Sequence, residues 1–138
     1  MMKWIEGEAP MFEKLDVVRM AQALAAHAGA RQEAIARNVA NADTPGYQAL
    51  DLPDFAATYQ AAEPGAMRAT RPGHLGAQDQ AFAPILRAAG GSGAPNGNSV
   101  SLEGEMVKAV EVRQQHDMAL AIYRNTTTLL RLSLGRGR

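Results

Sequence analysis

The sequence predicts a mainly α protein: two long terminal helices pairing as a coiled-coil-like α-hairpin, joined by an irregular Gly/Pro-rich middle. Three observations carry this expectation. Residues 12–41 and 101–133 both repeat apolar residues at three- and four-residue intervals. Residues 63–98, between them, hold seven of the 13 glycines and four of the seven prolines. Hydrophobic residues make up 46% of the chain, but many are alanine and aromatics are only 5%. Alanine is the best helix former yet buries little area, so the chain suits helices packed closely on other helices better than an independent globule.

The 138 residues are one domain's worth of chain. They divide into an irregular lead (1–10), a first helix with its closing turn (11–47), an irregular middle (48–98) and a last helix (99–138). Gly7 and Pro10 mark the lead. In the first helix Val17, Ala21, Leu24, Ala28 and Ile35 form the apolar stripe, flanked by Met20 and Val39 and interrupted by Arg31. Gly29 weakens this helix modestly. Glu13, Arg19, Glu33 and Arg37 are expected in solvent or against neighbouring chains.

The helix stops in Asn38-Val39-Ala40-Asn41-Ala42-Asp43-Thr44-Pro45-Gly46-Tyr47. Asn38 and Asn41, three apart, share a face. Thr44 precedes a proline, which pushes it out of the helical region. Pro45-Gly46 supplies the fixed φ and then the positive φ of a type II turn. Tyr47 brings a large ring with one polar tip, suited to anchoring against another surface.

Leu50, Leu52, Phe55 and Tyr59 follow, with Asp54 placed to start a short helix that sets Phe55 and Tyr59 on one face. Residues 63–98 read as loop or disordered in isolation. Within them, Ala81-Phe82-Ala83-Pro84-Ile85-Leu86 suggests a short strand or an interface patch. Ser101 is the expected N-cap of the last helix, with Glu103 and Glu105 in its first turn. Met106, Val110, Ala121 and Leu132 lie near one stripe, close to Leu102, Leu120 and Leu129, with Arg113, Gln114 and Asp117 within or beside it. Thr126-Thr127-Thr128 is poor for helix propensity, and Gly135 is the expected stop. Two helices of this length can pair antiparallel, or parallel by way of a long crossover.

Lys+Arg and Asp+Glu both number 14, and a neutral chain lacks the basic field that phosphate binding requires. Arg131, Arg136 and Arg138 are placed favourably for a helix C-terminus. With no cysteine, disulfides, thiol catalysis and cysteine-ligated zinc are excluded. No apolar run reaches the ~18 residues of a membrane span. Lys3-Trp4-Ile5 leads straight into Glu6 and Glu8, so no signal-peptide core is evident. By composition alone the chain reads as cytoplasmic. His27, His74 and His116 have no second histidine at metal-ligating spacing. The glycines of 90–97 lack the Lys-Ser/Thr of a phosphate loop, and Ser92 and Ser101 have no nearby base. Glu103 and Glu105 point to different sides of a helix. The expectation is therefore no enzyme, no metal, no cofactor and no small-molecule substrate. A helix–turn–helix DNA-binding reading, built on the basic stretch Arg31–Arg37, is opposed by Asp43, Asp51 and Asp54, which would repel phosphates.

Ala36-Arg37-Asn38-Val39-Ala40-Asn41-Ala42-Asp43-Thr44-Pro45-Gly46-Tyr47 resembles the signature closing the N-terminal helix of bacterial flagellar rod, hook and hook-filament proteins. With Arg31–Ala36 before it and Gln48–Leu52 after it, the stretch is most similar to the proximal members of the flagellar basal-body rod protein family. Gly97-Asn98-Ser99-Val100-Ser101-Leu102-Glu103-Gly104-Glu105-Met106-Val107 is a second match, and Arg71-Pro72-Gly73-His74-Leu75 a weaker third. The likeness covers roughly residues 11–60 and 96–136, which leaves both Met1 and Met11 as candidate starts. The chain departs from the family pattern at Gly104, at His116-Asp117 and at the threonine run. The resemblance implies a structural rod subunit that transmits torque from the membrane ring towards the hook. It also implies export through the flagellar type III channel without a cleaved signal, and residence in the periplasmic rod. The implied partners are further subunits in a helical tube, an FlgC-like rod protein, an FliE-like adapter and the membrane-ring protein. An FlgC-like identity is the alternative within the family. The helix stripes and the turn residues Asn38, Asn41, Thr44, Pro45, Gly46 and Tyr47 would then form subunit interfaces, with Arg113 and Gln114 helping to fix register.

Overall fold

The computed structural model describes residues 9–62, 82, 84–91 and 93–135, with backbone only at 9–13, 61 and 62. Helix α1 (Ala9–Ala40) and helix α3 (Leu102–Gly135) dominate, with a short helix α2 (Phe55–Ala62) and two two-residue strands, β1 (Leu50–Asp51) and β2 (Arg87–Ala88), between them. The mainly α hairpin expected from the sequence is what forms. Its helices run antiparallel, because Asn38 near the end of α1 meets Glu105 near the start of α3. Helix α1 begins a little earlier than expected and takes Pro10 into its first turn, where a missing N–H costs nothing.

The seam between the helices follows a heptad on both sides. On α1 it runs through Ala21, Leu24, Ala28, Arg31, Ile35 and Asn38, in steps of three and four. On α3 it runs through Glu105, Ala109, Val112, His116, Ala119 and Thr126. The apolar centre is small: Ala28, Ile35 and Val112, with Ala109 against them. Small side chains at this level let the two backbones approach closely.

The apolar stripe read on the last helix lies outside the seam between α1 and α3. Met106, Val110 and Leu132 are 61%, 70% and 63% exposed, and Leu102 and Ala121 also face outward. The seam lies about one residue round the helix from that stripe. Its alanines and paired polar residues carry little hydrophobicity, so a pattern ranked by hydrophobicity passes them over. On α1, Ala21, Ala28 and Ile35 are buried and Leu24 half-buried, but Val17 is exposed. Arg113 and Gln114 face solvent and take no part in the seam; Glu105 and Lys108 fill that role.

The irregular middle is more ordered near its end than expected. A strand forms at Arg87–Ala88, just past the 81–86 segment, of which residues 81 and 83 lie outside the described residues, and pairs antiparallel with β1 (Leu50 opposite Ala88, Asp51 opposite Arg87). The Ala89 N–H extends the ladder to the Ala49 carbonyl at 2.8 Å. Residues 1–8, 63–81 (with Arg71–Leu75), 83, 92 and 136–138 lie outside the described residues. Among the described residues, no helix is long and apolar enough to cross a membrane.

Helix ends are closed locally. Ser101 Oγ accepts the Gly104 N–H at 3.3 Å, the N-cap expected for α3. Asp54 stands before α2, its carbonyl accepting the Thr58 N–H. The threonine run is tolerated because Thr126, Thr127 and Thr128 each return their hydroxyl to the carbonyl four residues back, at 2.7–2.9 Å.

Candidate functional site

The turn that closes α1 and the loop that opens α3 form one polar clasp. Pro45-Gly46 makes the expected turn: Gly46 has φ +74°, and the Tyr47 N–H reaches the Thr44 carbonyl at 3.3 Å. This turn lies against residues 94–99. The Gly46 N–H donates to the Asn96 carbonyl at 3.1 Å, and the Ser99 N–H to the Tyr47 carbonyl at 3.0 Å. Ser99 Oγ accepts the Ala49 N–H at 2.8 Å. Gly97 has φ +80°, and a Cβ built on it would stand 3.4 Å from the Gly46 Cα. Two left-handed glycines are needed back to back, since a side chain at Gly97 would be strained and crowded at once.

Two asparagines hold the clasp. Asn38 is 0% exposed. Its amide donates to the Leu50 carbonyl (2.7 Å) and to Glu105 Oε2 (3.0 Å), and its Oδ1 accepts from the Leu50 N–H (2.9 Å) and the Tyr47 hydroxyl (3.4 Å). It thus joins α1, the turn, β1 and α3. Asn98 gives its amide to the carbonyls of Asn41, Ala42 and Thr44, all at 2.8–2.9 Å, while its Oδ1 takes the Val100 N–H. The turn that follows α1 is thus braced by a side chain up to 57 residues further along, while the last carbonyls of α1 are met locally by the Asn41 and Ala42 N–H groups. Asn41 stays local, its amide returning to the Arg37 carbonyl and its Oδ1 accepting from Thr44 Oγ1.

Beside the clasp runs a ladder of alternating charge. Arg31 Nε lies 2.9 Å from Asp51 Oδ1, Lys108 Nζ lies 3.2 Å from Asp51 Oδ2 and 3.1 Å from Glu105 Oε1, and Glu105 reaches Asn38. Two cations face two anions, so the partly buried set is neutral as a whole. Burial alone would raise the Asp51 carboxyl, but the Arg31 hydrogen bond, the Leu52 N–H and Lys108 outweigh it and hold the group below its usual range. Burial would likewise lower Lys108, and Glu105 and Asp51 reverse the direction, so its ammonium is held above the usual value. Arg31, which interrupts the sequence stripe, is there to meet β1.

One turn before Arg31 on α1, buried His27 donates Nε2–H to the Pro53 carbonyl at 2.8 Å and sits among Phe55 and Phe82. Phe55, Tyr59 and Phe82 pack against one another in tilted and edge-on arrangements with centroids 5.3–6.4 Å apart. This cluster fastens α2 over α1.

The geometry brings Asn38, Asn41, Thr44, Gly46 and Tyr47 together with residues 96–105, and leaves Leu102, Met106, Val110, Ala121 and Leu132 outside. Sequence reasoning missed Asn98 as the brace of the turn and Arg31, Asp51, Glu105 and Lys108 as a set. Polar residues recurring at seam positions 31, 38 and 105 were the available signal. Among the described residues, no cluster of His, Asp or Glu could hold a metal ion. The clasp makes hydrogen bonds inward and presents nothing arranged for chemistry. Exposed apolar side chains line the outer faces of both helices, among them Leu15, Met20, Val107, Met118, Leu129 and Leu134.

A helical hairpin locked by polar groups within and apolar without is the build of an assembly subunit, whose packing is completed by other chains. Residues 21–48, the α1 seam and the closing turn, match the family of flagella basal body rod proteins. The flagellar basal body rod protein FlgB of Agrobacterium fabrum (strain C58) is 33% identical over 113 residues, covering 77% of this chain and 83% of that one. FlgB of Escherichia coli (strain K12) is 55% identical over 47 residues, a third of each chain. The chain belongs to the flagellar basal-body rod protein family. It is a structural rod subunit of the bacterial flagellum, a component of the basal body that assembles with other rod components.

Proposed function

We propose that this chain is a proximal rod subunit of the FlgB kind and that its outward apolar faces are its subunit interfaces. The observation that carries this reading is the inversion on α3: the seam is small and polar, while Met106, Val110, Leu129 and Leu132 stand in solvent. Fully burying such side chains is worth roughly 1.5–3 kcal/mol each, so neighbours that cover them gain more than the intramolecular seam can. Contacts between unlike surfaces that do not close into a ring build an open helical tube.

In this reading the work is mechanical. The clasp and the charge ladder keep α1 and α3 in fixed register, so torque from the membrane ring passes through stiff hairpins rather than through a loop. No catalysis, cofactor or small-molecule substrate is involved. The neighbours are further copies, an FlgC-like rod protein, an FliE-like adapter and the membrane-ring protein. The chain travels unfolded through the flagellar type III channel without losing a signal peptide, and closes its clasp at the growing rod in the periplasm. The alternative position, that of an FlgC-like protein, is separated by location. Tagged chain in detergent-extracted basal bodies, imaged by immunogold, should label the rod next to the membrane ring. Deleting its gene should leave the ring without rod, hook or filament. Label only at the distal rod, or rods of normal length in the deletion, would overturn the proposal.

A further inference from the structure

We infer that Asn96-Gly97 is a self-modification site: with the clasp open, the Asn96 side-chain amide is lost as ammonia through a cyclic imide, and the closed clasp shuts this reaction off. The chemistry goes beyond the rod reading and does not depend on it.

Asn96-Gly97 is the one Asn-Gly pair in the sequence. In such a pair the backbone nitrogen of the glycine can attack the side-chain carbonyl carbon of the asparagine. The new N–C bond closes a succinimide ring, and the side-chain nitrogen departs with the Gly97 amide proton as ammonia. Water then opens the ring at either carbonyl. One opening gives aspartate. The other gives isoaspartate, in which the main chain runs through the former side chain. One water is consumed and one ammonia released, and no other reactant is needed. Glycine permits the attack because no Cβ crowds the nitrogen and the backbone turns freely. Asn38, Asn41, Asn98 and Asn125 are followed by Val, Ala, Ser and Thr, each of which carries a Cβ.

Asn96 and Gly97 are both exposed, so water reaches them. The peptide unit that joins them is nevertheless tied at both ends. Its carbonyl accepts the Gly46 N–H at 3.1 Å, and its N–H donates to the Ala94 carbonyl at 2.8 Å. The Asn96 side chain is tied as well, its Oδ1 accepting the Asn98 N–H at 3.1 Å. The Gly97 nitrogen therefore keeps its proton in a hydrogen bond. It cannot swing onto the side-chain carbon unless the unit lets go of Gly46, which is to say unless the clasp opens. The rate of modification accordingly follows the fraction of time the clasp spends open.

The product acts back on the clasp. Isoaspartate inserts a methylene into the main chain beside Gly97, where a Cβ would already stand 3.4 Å from the Gly46 Cα. It also shifts Asn98, whose amide braces the turn through three carbonyls. A chain modified while open cannot close in the original geometry, so the site retires chains that stay open too long.

Peptide mapping by mass spectrometry tests this on the purified full chain, incubated at pH 8, where base favours loss of the Gly97 proton. One sample is kept native and one is held unfolded in guanidinium chloride. Exchange of NH2 for OH at residue 96, with aspartate and isoaspartate separated by chromatography, should run about tenfold or more faster in the unfolded sample. Unfolded Gly97→Ala, whose added Cβ hinders the attack, should react at least several-fold more slowly than the unfolded parent. Asn98→Ala loosens the clasp without touching the reacting pair, and should speed the reaction in native buffer, up to the unfolded rate if the variant does not fold. Refolded isoaspartate chain should have a lower midpoint than Asn96→Asp, which carries the same added charge on an unaltered backbone. Equal native and unfolded rates, another asparagine reacting faster than Asn96 in denaturant, no reaction at all, or an isoaspartate chain as stable as Asn96→Asp would each overturn the inference. None of these readouts depends on where the chain resides, so the rod assignment stands or falls separately.

Discussion

Replacing Asn38 by aspartate changes one amide for a carboxylate of the same size at the centre of the clasp. The amide's two donor bonds, to the Leu50 carbonyl and to Glu105 Oε2, are lost. The Leu50 carbonyl is left without that donor in a site sealed from water, at about 1–3 kcal/mol. The new carboxylate also stands about where the amide now lies, 3.0 Å from the Glu105 oxygen. Two such charges repel by roughly 5 kcal/mol at an effective dielectric of 20. Uptake of one shared proton relieves part of this, so the net loss near neutrality is about 4–6 kcal/mol. A seam centred on Ala28, Ile35 and Val112 has little stability to spare, so Asn38→Asp should be largely unfolded at pH 7. The sign with pH follows from the proton. The folded variant binds more protons than the unfolded chain, so its stability falls as pH rises. Urea unfolding followed by circular dichroism at pH 5 and pH 7 should therefore show a deficit that shrinks on acidification. Asn38→Leu, which removes the same bonds without adding charge, should lose stability to a similar degree at both values. An Asn38→Asp protein as stable as the parent at pH 7, or a deficit independent of pH, would refute the role given to Asn38.

Gly97→Val and Gly46→Val should each cost at least ~1 kcal/mol, since both positions have positive φ, whereas Gln48→Val on the exposed strand approach should cost little; urea midpoints decide. Asn98→Ala removes the donor for three carbonyls of the turn after α1 and should lower stability by about 2–3 kcal/mol, with amide exchange accelerating first around residues 41–47. The charge ladder gives two pH limbs. Asp51 is depressed, so its contribution is present above the unfolded value of about 3.8 and is lost as pH falls through the lower folded value. Lys108 is raised, so its contribution is present below about 10.5 and is lost as pH rises through the higher folded value. Asp51→Asn should abolish the Asp51 part of the acid limb in thermal melts across this range.

The hairpin was legible because alanine-rich heptads over roughly eight turns leave few alternatives to paired helices, and Pro45-Gly46 names its own turn. Ser101 was legible as a cap for the same local reason. What could not be read was which stripe of the last helix faces its partner. Met106 and Leu132 outrank Ala109 and Ala119 in hydrophobicity, and Val110 equals Val112, yet Ala109, Val112 and Ala119 are the ones packed inside. The apolar stripe is real; in the function proposed above its partner is another chain, which no intrachain argument specifies. Asn98 was hidden by distance, since its carbonyl partners lie 54–57 residues earlier. Likewise, Arg31 looked like a flaw in the stripe until Asp51 on β1 came beside it. Two-residue strands such as Arg87–Ala88 carry no periodicity at all, and exist because Ala49 and Leu50 offer an edge.

The central claim is that the exposed face of α3 is an assembly surface and not part of the fold, and Val110→Asp measures it most directly. Val110 is 70% exposed, so the purified variant should keep the parent's helicity and urea midpoint. Expressed as the sole copy, it should still be exported, yet be missing from detergent-extracted basal bodies, and cells should lack rod, hook and filament. Basal bodies containing Val110→Asp at the parent's level, with normal motility, would contradict the account.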